Sequence, residues 1–306
     1  MKSLFALIKR NTKLFFLDKG MLLSSLITPM ILLVLYATFL KDIFYDSFAQ
    51  SLPEGFEVNK SLIEGMVGGE LVSSILAVSC VTVAFCSNLI MVQDKVNGAR
   101  KDLLITPVKK SVLSLSYYVA TLINTLIVCF TAAAACFIYL AIVGWYLSFT
   151  DVLLILLDTI LLSMFGTALS SIVNSFLTPQ GQMSAVGTIV SAGYGFICGA
   201  YMPIHSFGDG LQKVLSFLPG TYGTSLMRNH ALNGTFNELA DIITKSGASK
   251  ADVDAIMNGI KEGIDCKLFF FGTEVSVPAM AVIVLCSTAV LIGIFVLINV
   301  LKKKRA

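Results

Sequence analysis

Residues 111–150 read SVLSLSYYVATLINTLIVCFTAAAACFIYLAIVGWYLSFT, forty consecutive residues without a charged side chain. A helix needs about 20 apolar residues to cross the hydrocarbon core of a bilayer. The run also lacks the alternation of apolar and polar residues that marks the strands of a membrane β-barrel. It therefore predicts a transmembrane helix over residues 112–143. An interfacial corner should follow at Gly144–Trp145–Tyr146, because aromatic side chains favour the membrane surface.

The composition of the whole chain also indicates a membrane environment. Of its 306 residues, 56% are hydrophobic and 13% are charged, whereas soluble domains carry about 25% charged residues. The charges are clustered, and long apolar runs separate the clusters. We therefore predict an all-α integral membrane protein, a single domain over residues 1–306 with six transmembrane helices. The predicted spans are residues 21–40, 67–92, 112–143, 151–173, 182–200 and 275–301.

The fifth span is rich in glycine, with Gly187, Gly193, Gly195 and Gly199. Small residues let the backbones of membrane helices approach closely. We therefore expect this helix to be central to the packing of the bundle.

The N-terminal segment, residues 1–20, is basic and amphipathic. Leu4, Phe5, Leu7, Ile8 and Phe15 fall on one side of a helix, and the lysines and Arg10 fall on the other. This pattern is typical of a helix that lies in the membrane interface. The alternative is a basic flank that only sets the orientation of the chain.

The distribution of lysine and arginine predicts the orientation. The N-terminal segment carries five of these residues, residues 93–110 carry five and the C-terminal tail carries four, so 14 of the 22 lie on one face. Cytosolic segments carry an excess of Lys and Arg. We therefore expect both termini and the 93–110 loop to be cytosolic, in a multi-pass plasma-membrane protein.

Residues 201–274 should then lie outside the cell. Residues 201–232 are too polar for a full span, and Pro203, Gly208, Gly210 and Pro219 interrupt them, so we predict short interfacial or re-entrant helices. The polar segment 233–274 contains a short helix around residues 252–257. The external segment holds both histidines, and we see no carboxylate or thiol cluster near either of them.

Catalytic chemistry is not expected in this chain. It has no glycine-rich phosphate loop and no cysteine or histidine spacing that would bind a metal. Two carboxylates, Asp158 and Glu70, fall inside predicted spans, and such groups are candidates for ion coupling. The alternative is that each is hydrogen-bonded to a neighbouring helix or reached by water.

The cytosolic stretch 93–107 has a distinctive order. Charged residues come first, then the apolar triplet Leu103–Leu104–Ile105, and then Thr106–Pro107, which ends a helix. Such a short helix can lie across the membrane face and contact a cytosolic partner. The alternative is a plain basic loop that obeys the positive-inside rule.

At this loop the sequence resembles the permease subunit of type-2 ABC transporters, a family of exporters, and the resemblance covers nearly the whole chain. The segments that carry it follow one another in the family's order: SLITPMILLVLYATFL (25–40), DKVNGARKDLLITPVKKSVLSLSYY (94–118), NSFLTPQGQMSAVG (174–187) and GFICGAYMPIHSFGDGLQKVLSFLPGTYGTSLMRNHALNG (195–234).

The resemblance implies roles for particular residues. The 93–110 loop would be the coupling helix that docks a separate ATPase, and residues 1–20 would be the connecting helix that also touches it. The second and fifth spans would line the substrate path where two permeases meet. The coupling residues would be Asp94, Gly98, Asp102, Leu103, Leu104, Thr106 and Pro107. The path residues would be Asn88, Tyr194 and Phe196, and the external gate would contain Gly199, Tyr201, Pro203, Pro219 and Tyr222.

The function implied is ATP-driven export of hydrophobic or amphipathic cargo, such as drugs, antimicrobial peptides, lipids or lipid-linked glycans, from a bacterial cell. ATP and magnesium would bind only the partner subunit. The other partners would be a second permease and the bilayer, with no nucleic acid. An alternative is an ion- or proton-coupled carrier or channel that uses Asp158 or Glu70. A third class, an intramembrane enzyme, fits the shortage of histidine and acidic residues poorly.

Overall fold

The computed structural model describes residues 2–36, 41–42, 45–46, 59–178 and 180–304. Within them the chain is almost entirely helical, which confirms the all-α prediction. The end of the first predicted span, residues 37–40, and most of the polar loop after it lie outside the described residues.

The helices are α1 (Lys2–Leu17), α2 (Lys19–Leu35), α3 (Lys60–Val96), α4 (Ala99–Ile105), α5 (Lys110–Val143), α6 (Phe149–Phe176), α7 (Gln180–Ile197), α8 (Asp209–Leu215), α9 (Pro219–Lys245), α10 (Lys250–Gly263) and α11 (Val277–Lys304). A 3-10 turn covers Ile204–Ser206. The strands β1 (Leu268–Phe270) and β2 (Thr273–Val275) pair antiparallel as a hairpin.

Four helices among the described residues are long and apolar enough to cross a membrane: α3, α5, α6 and the Val277–Val300 part of α11. Helices α1 and α2 give a fifth candidate if they are taken together, and they are bent by 72° at their junction. Helix α7, which covers most of the predicted fifth span, is less apolar and is not among the four. A multi-pass membrane protein is therefore supported, and the six-span topology stays a prediction.

Helix α3 is the centre of the molecule. Helices α2, α5, α6, α7 and α9 pack around it, and nearly all of its apolar part is buried. Helix α6 approaches it so closely that a Cβ atom on Gly166 would lie 2.8 Å from the carbonyl oxygen of Cys80. The glycines of α7 differ within one chain: a Cβ atom on Gly187 or Gly193 would meet open space, whereas one on Gly195 would overlap the ring of Tyr201. The central role of α7 stays a prediction.

Helix α1 has the amphipathic character that the sequence predicted. Its Leu7 and Phe15 are buried in an apolar cluster with residues of α3 and α5, whereas Lys9 and Lys13 are exposed. Asp18 follows α1, and its side chain accepts a hydrogen bond of 3.1 Å from the backbone nitrogen of Met21. This bond caps the start of α2. The chain therefore changes direction at Asp18.

The region after α7 differs from the expected series of short helices followed by a polar insert. The structure has one continuous helix, α9, across the expected boundary at residues 232 and 233. Pro219 occupies its first turn, where proline is tolerated because that backbone nitrogen needs no partner within the helix. One face of α9 packs on α3 and α6, so this helix belongs to the core of the molecule.

Helix α9 also contacts the corner between α5 and α6. A Cβ atom on Gly234 would lie 1.7 Å from the carbonyl oxygen of Tyr146, so the two backbones touch at this glycine. In the same corner Trp145 is 47% exposed, and its ring lies edge-on to Phe137 with 6.2 Å between centroids. The short helix expected around residues 252–257 is present as α10, and Ser249 and Asp252 cap it reciprocally.

Candidate functional site

The predicted coupling segment consists of the end of α3, a turn at Gly98 and helix α4. Gly98 has a φ of +81°, a conformation that glycine adopts without strain and that other residues rarely adopt. On α4, Leu103 and Leu104 are half-buried and pack against the cluster that contains Leu7 and Phe15 of α1. These two leucines therefore attach α4 to the bundle.

The opposite side of α4 is free of the bundle. Asp102, Thr106 and Pro107 are exposed, and Ile105 is 84% exposed. The Thr106 hydroxyl donates a hydrogen bond of 2.6 Å to the carbonyl oxygen of Leu103, at the C-terminal end of the helix. The sequence analysis did not choose Ile105 as a site residue, although it is the third member of the apolar triplet and its position on the helix turns it away from the two leucines.

Asp94, which the resemblance placed among the coupling residues, lies buried between three helices. Its carboxylate accepts two hydrogen bonds from Arg10 of α1, of 2.7 and 2.8 Å, and one of 2.5 Å from the hydroxyl of Tyr117 on α5. The hydrogen bonds with Asp94 raise the pKa of Arg10 and outweigh the opposing effect of burial. Asp94 therefore joins α1 and α5 to the end of α3.

The adjacent residue, Lys95, joins α3 to a fourth helix. Its ammonium group donates to the carbonyl oxygens of Asn174, Ser175 and Leu177, at 2.8, 3.1 and 3.0 Å. The last carbonyl groups of a helix lack partners within it and carry partial negative charge, so a lysine at this position stabilises the end of α6. The sequence analysis counted Lys95 only as a positive charge.

A cavity of 620 Å³ lies between α2, α3 and α7. Asp18, Ser24 and Gln93 contribute polar groups, whereas most of the remaining lining is apolar or small. A neighbouring cavity of 250 Å³ shares Asp18 and Gln93 and extends to Val96 and Asn97, beside the turn that leads to α4. The two cavities together reach from the coupling segment into the bundle.

The three predicted path residues do not line these cavities. The Asn88 amide donates hydrogen bonds of 3.1 and 3.0 Å to Ser170 and Ser171 of α6, and Asn88 is buried. Tyr194 is also buried, whereas Phe196 is exposed, and its ring lies edge-on to Tyr201. Their role in the substrate path stays a prediction.

The predicted gate residues lie in two turns that flank the short helix α8. Gly199 has a φ of +77° where the chain leaves α7, and Tyr201 and Pro203 follow it before the 3-10 turn. After α8, Pro219 begins α9, and the hydroxyl of Tyr222 donates a hydrogen bond of 2.6 Å to the carbonyl oxygen of Ser216. These turns, together with α8, connect α7 to α9.

A buried arginine contacts the first of these turns. The guanidinium group of Arg228 is 2.6 Å from Glu70 of α3 and 3.8 Å from Asp265. It also donates to the carbonyl oxygens of Ile264 and Gly199, at 2.7 and 3.0 Å. A buried charge is tolerated only when it is paired and hydrogen-bonded, so Arg228 fixes the gate turn, α3 and the residues after α10 relative to one another.

Arg228 was not predicted from the sequence. Each histidine lies beside a single carboxylate, and neither pair was predicted. His230 Nδ1 is 2.6 Å from Asp158 Oδ2, and His205 Nδ1 is 3.4 Å from Asp265 Oδ1. Both intramembrane carboxylates, Glu70 and Asp158, therefore bond to α9, as the hydrogen-bonded alternative required. Within the described part of the chain, no group of three or more His, Cys, Asp or Glu side chains could hold a metal ion.

Comparison with known proteins gave one family. Residues 45–300 match the family model described as "ABC-2 family transporter protein". The match begins before α3 and ends within α11, so it includes the coupling segment, the gate turns and the Arg228 contacts. Searches of curated proteins and of solved structures gave no match.

Proposed function

Because the chain belongs to the ABC-2 family of transporter proteins, we propose that it is the permease subunit of an exporter whose ATP is hydrolysed by a separate subunit. The observation that carries the proposal is the attachment of α4. Its exposed side presents Asp102 and Ile105, while Asp94 and Lys95 at its base bond to α1, α5 and α6. A force applied to α4 therefore acts on four helices together.

The proposed mechanism is a rigid-body movement. When two ATPase subunits close on ATP, α4 moves with the subunit that it contacts, and α3 tilts together with the helices bonded to Asp94 and Lys95. Helices α2 and α7 also pack on α3 and form the other two walls of the cavity. The cavity between α2, α3 and α7 would therefore change its width during the ATPase cycle.

The substrate path in this proposal is the α2–α3–α7 cavity, closed by a second permease. Open space at Gly193, which does not line the cavity, leaves room for the backbone of a partner helix to approach α7. The mainly apolar lining, with Asp18 and Gln93 toward the coupling segment, suits hydrophobic or amphipathic cargo. Outward transport across a bacterial plasma membrane is the direction that the resemblance to exporters favours.

The experiment that tests this function replaces Ile105 by Asp in the permease reconstituted with its ATPase subunit. We expect cargo transport to fall by about tenfold or more, while the protein still inserts into the membrane. Removing an apolar side chain from the centre of a contact typically costs about 1–2 kcal/mol or more. Ile105→Val is the matched control, since it keeps the apolar contact. Asp102→Asn tests the same surface, whereas changes of Leu103 or Leu104 would also loosen α4 from the bundle.

Unchanged transport by Ile105→Asp would remove the coupling role of α4. Uphill transport by the purified permease without any nucleotide hydrolase would overturn the whole proposal.

The second candidate, an ion-coupled carrier, is favoured by the Asp158–His230 pair, which joins a carboxylate in a predicted span to an imidazole on α9. We expect Asp158→Asn to keep transport within about twofold, because asparagine retains a hydrogen bond to His230 and the net strength of such a bond is about 1 kcal/mol. Transport driven by a proton gradient alone, and abolished by this variant, would instead support the carrier.

A further inference from the structure

A second large cavity has no role in the proposed export cycle. It measures 810 Å³ and lies between the first turns of α5 and the last turns of α11. It shares no residue with the α2–α3–α7 cavity. We call it the α5–α11 cleft, and its volume falls in the range of about 300–1,000 Å³ that is usual for ligand sites.

The cleft has a basic mouth and an apolar interior. Lys109 and Lys110 lie at its mouth, and both are exposed. Leu115 of α5 and Val296 of α11 line its apolar part, and both side chains are half-exposed. Helix α11 continues past the cleft to Lys304, with three lysines in succession. The cleft therefore combines positive charge at one end with an apolar surface along its length.

A hydrogen bond and an aromatic contact join α5 and α11 within the cleft. The Ser114 hydroxyl donates a hydrogen bond of 2.8 Å to the side-chain oxygen of Asn299 and holds the two helices together. The ring of Tyr118 stacks on Phe295 with 6.2 Å between centroids. The Tyr118 hydroxyl is buried and has no hydrogen-bond partner among the described residues.

We propose that the cleft binds one anionic phospholipid of the cytosolic leaflet, with its headgroup phosphate at Lys109 and Lys110 and an acyl chain along Leu115 and Val296. Basic pockets between membrane helices on the cytosolic side bind anionic headgroups, and lysines near such headgroups strengthen binding. The choice of leaflet rests on the orientation in the proposed function. The charge complementarity does not depend on it.

A bound lipid would also contact the coupling segment. Leu104 of α4 and Val108 belong to the wall of the cleft, and Leu104 is one of the two leucines that attach α4 to the bundle. Occupancy of the cleft therefore supports the base of α4, and an anionic bilayer would favour the attached position of this helix.

The test is native mass spectrometry of the full chain, released from detergent that contains equal amounts of phosphatidylglycerol and phosphatidylcholine with identical acyl chains. We expect the wild-type protein to retain one phosphatidylglycerol in preference to phosphatidylcholine. The double variant Lys109→Gln with Lys110→Gln should lower this preference by about 25-fold, since each lysine contributes roughly fivefold. Lys9→Gln with Lys13→Gln removes the same charge from exposed positions on α1 and should leave the preference unchanged.

A second variant, Val296→Trp, fills the apolar part of the cleft and leaves both lysines in place. We expect it to lose the retained lipid of either kind, while gel filtration and helix content match the wild type. A wild-type protein that retains neither lipid, or an equal loss of preference in the two lysine pairs, would overturn the proposal. Neither ATPase nor cargo enters the measurement, so its failure is distinguishable from a failure of the export function.

Discussion

Arg228 is only 1% exposed, and its guanidinium group is bonded to Glu70 and to two backbone carbonyl groups. If only one member of a buried ion pair is removed, the other charge is left without a partner, at a cost of about 3–5 kcal/mol. We therefore expect Arg228→Met to lower the free energy of unfolding by about that amount, as measured by denaturant titration in detergent. Arg100→Met, at a partly exposed position on α4, is the control and should change it by less than about 0.5 kcal/mol.

Removing both Arg228 and Glu70 should lower the free energy of unfolding by less than removing Arg228 alone. In the double variant Arg228→Met with Glu70→Leu the Glu70 carboxylate is no longer left unpaired, and Asp265 keeps its hydrogen bonds from the backbone nitrogens of Ile204 and His205. Replacing a whole buried pair by apolar residues is often neutral. A double variant that is less stable than Arg228→Met alone would show that Glu70 has another essential partner.

The two buried carboxylates were predictable from the sequence, and their partners were not. Glu70 and Asp158 stand out because charges are rare in apolar runs. Their partners lie on α9, and His230 is 72 residues from Asp158 along the chain. The sequence pattern of one helix does not indicate which polar residue of another helix a carboxylate in it will contact. The exposure of Ile105 escaped notice for a related reason, since only the packing of Leu103 and Leu104 determines which side of α4 faces away.

Helix α9 is held against the corner of α5 and α6 by a backbone contact at Gly234. A methyl group there would overlap the carbonyl oxygen of Tyr146, so we expect Gly234→Ala to destabilise the protein by at least about 2 kcal/mol, within the usual range for overpacking. Gly259→Ala, on the exposed face of α10 and with open space around it, should instead stabilise by up to about 1 kcal/mol, the difference in helix propensity. The unfolding temperatures of the two variants in detergent give the comparison.

Equal unfolding temperatures for these two variants would mean that α9 can move away from the corner at little cost.

Elements with a strong apolar run were predictable, and those without one were not. The spans over residues 67–92, 112–143, 151–173 and 275–301 correspond to α3, α5, α6 and α11, because their length and hydropathy are sufficient to identify them. Helix α9 was not predicted because polar residues are spread around its whole circumference. It is buried because it packs against α3 and α6. Glycine content alone does not determine how α7 packs in the bundle, since small residues permit close packing and do not require it.

For the molecule as a whole, α4 and α10 should lie on opposite sides of the membrane. We expect Asp254→Cys, exposed on α10, to react with a membrane-impermeant maleimide in intact cells, and Ile105→Cys to react only after permeabilisation. Of the seven natural cysteines, six are buried and Cys286 is exposed on the membrane helix α11, so the wild-type protein is the background control. Reaction of Ile105→Cys in intact cells would place the coupling segment outside and contradict the proposed orientation.

The corner at residues 144–146 has a further practical consequence. The chain contains one tryptophan, and Trp145 stands half-exposed where α5 turns into α6, beside the contact with Gly234 of α9. Indole emission responds to local polarity, so the unlabelled protein already carries one optical reporter at the corner between α5 and α6. Emission spectra of the purified chain would follow this corner directly, in a bilayer and in real time.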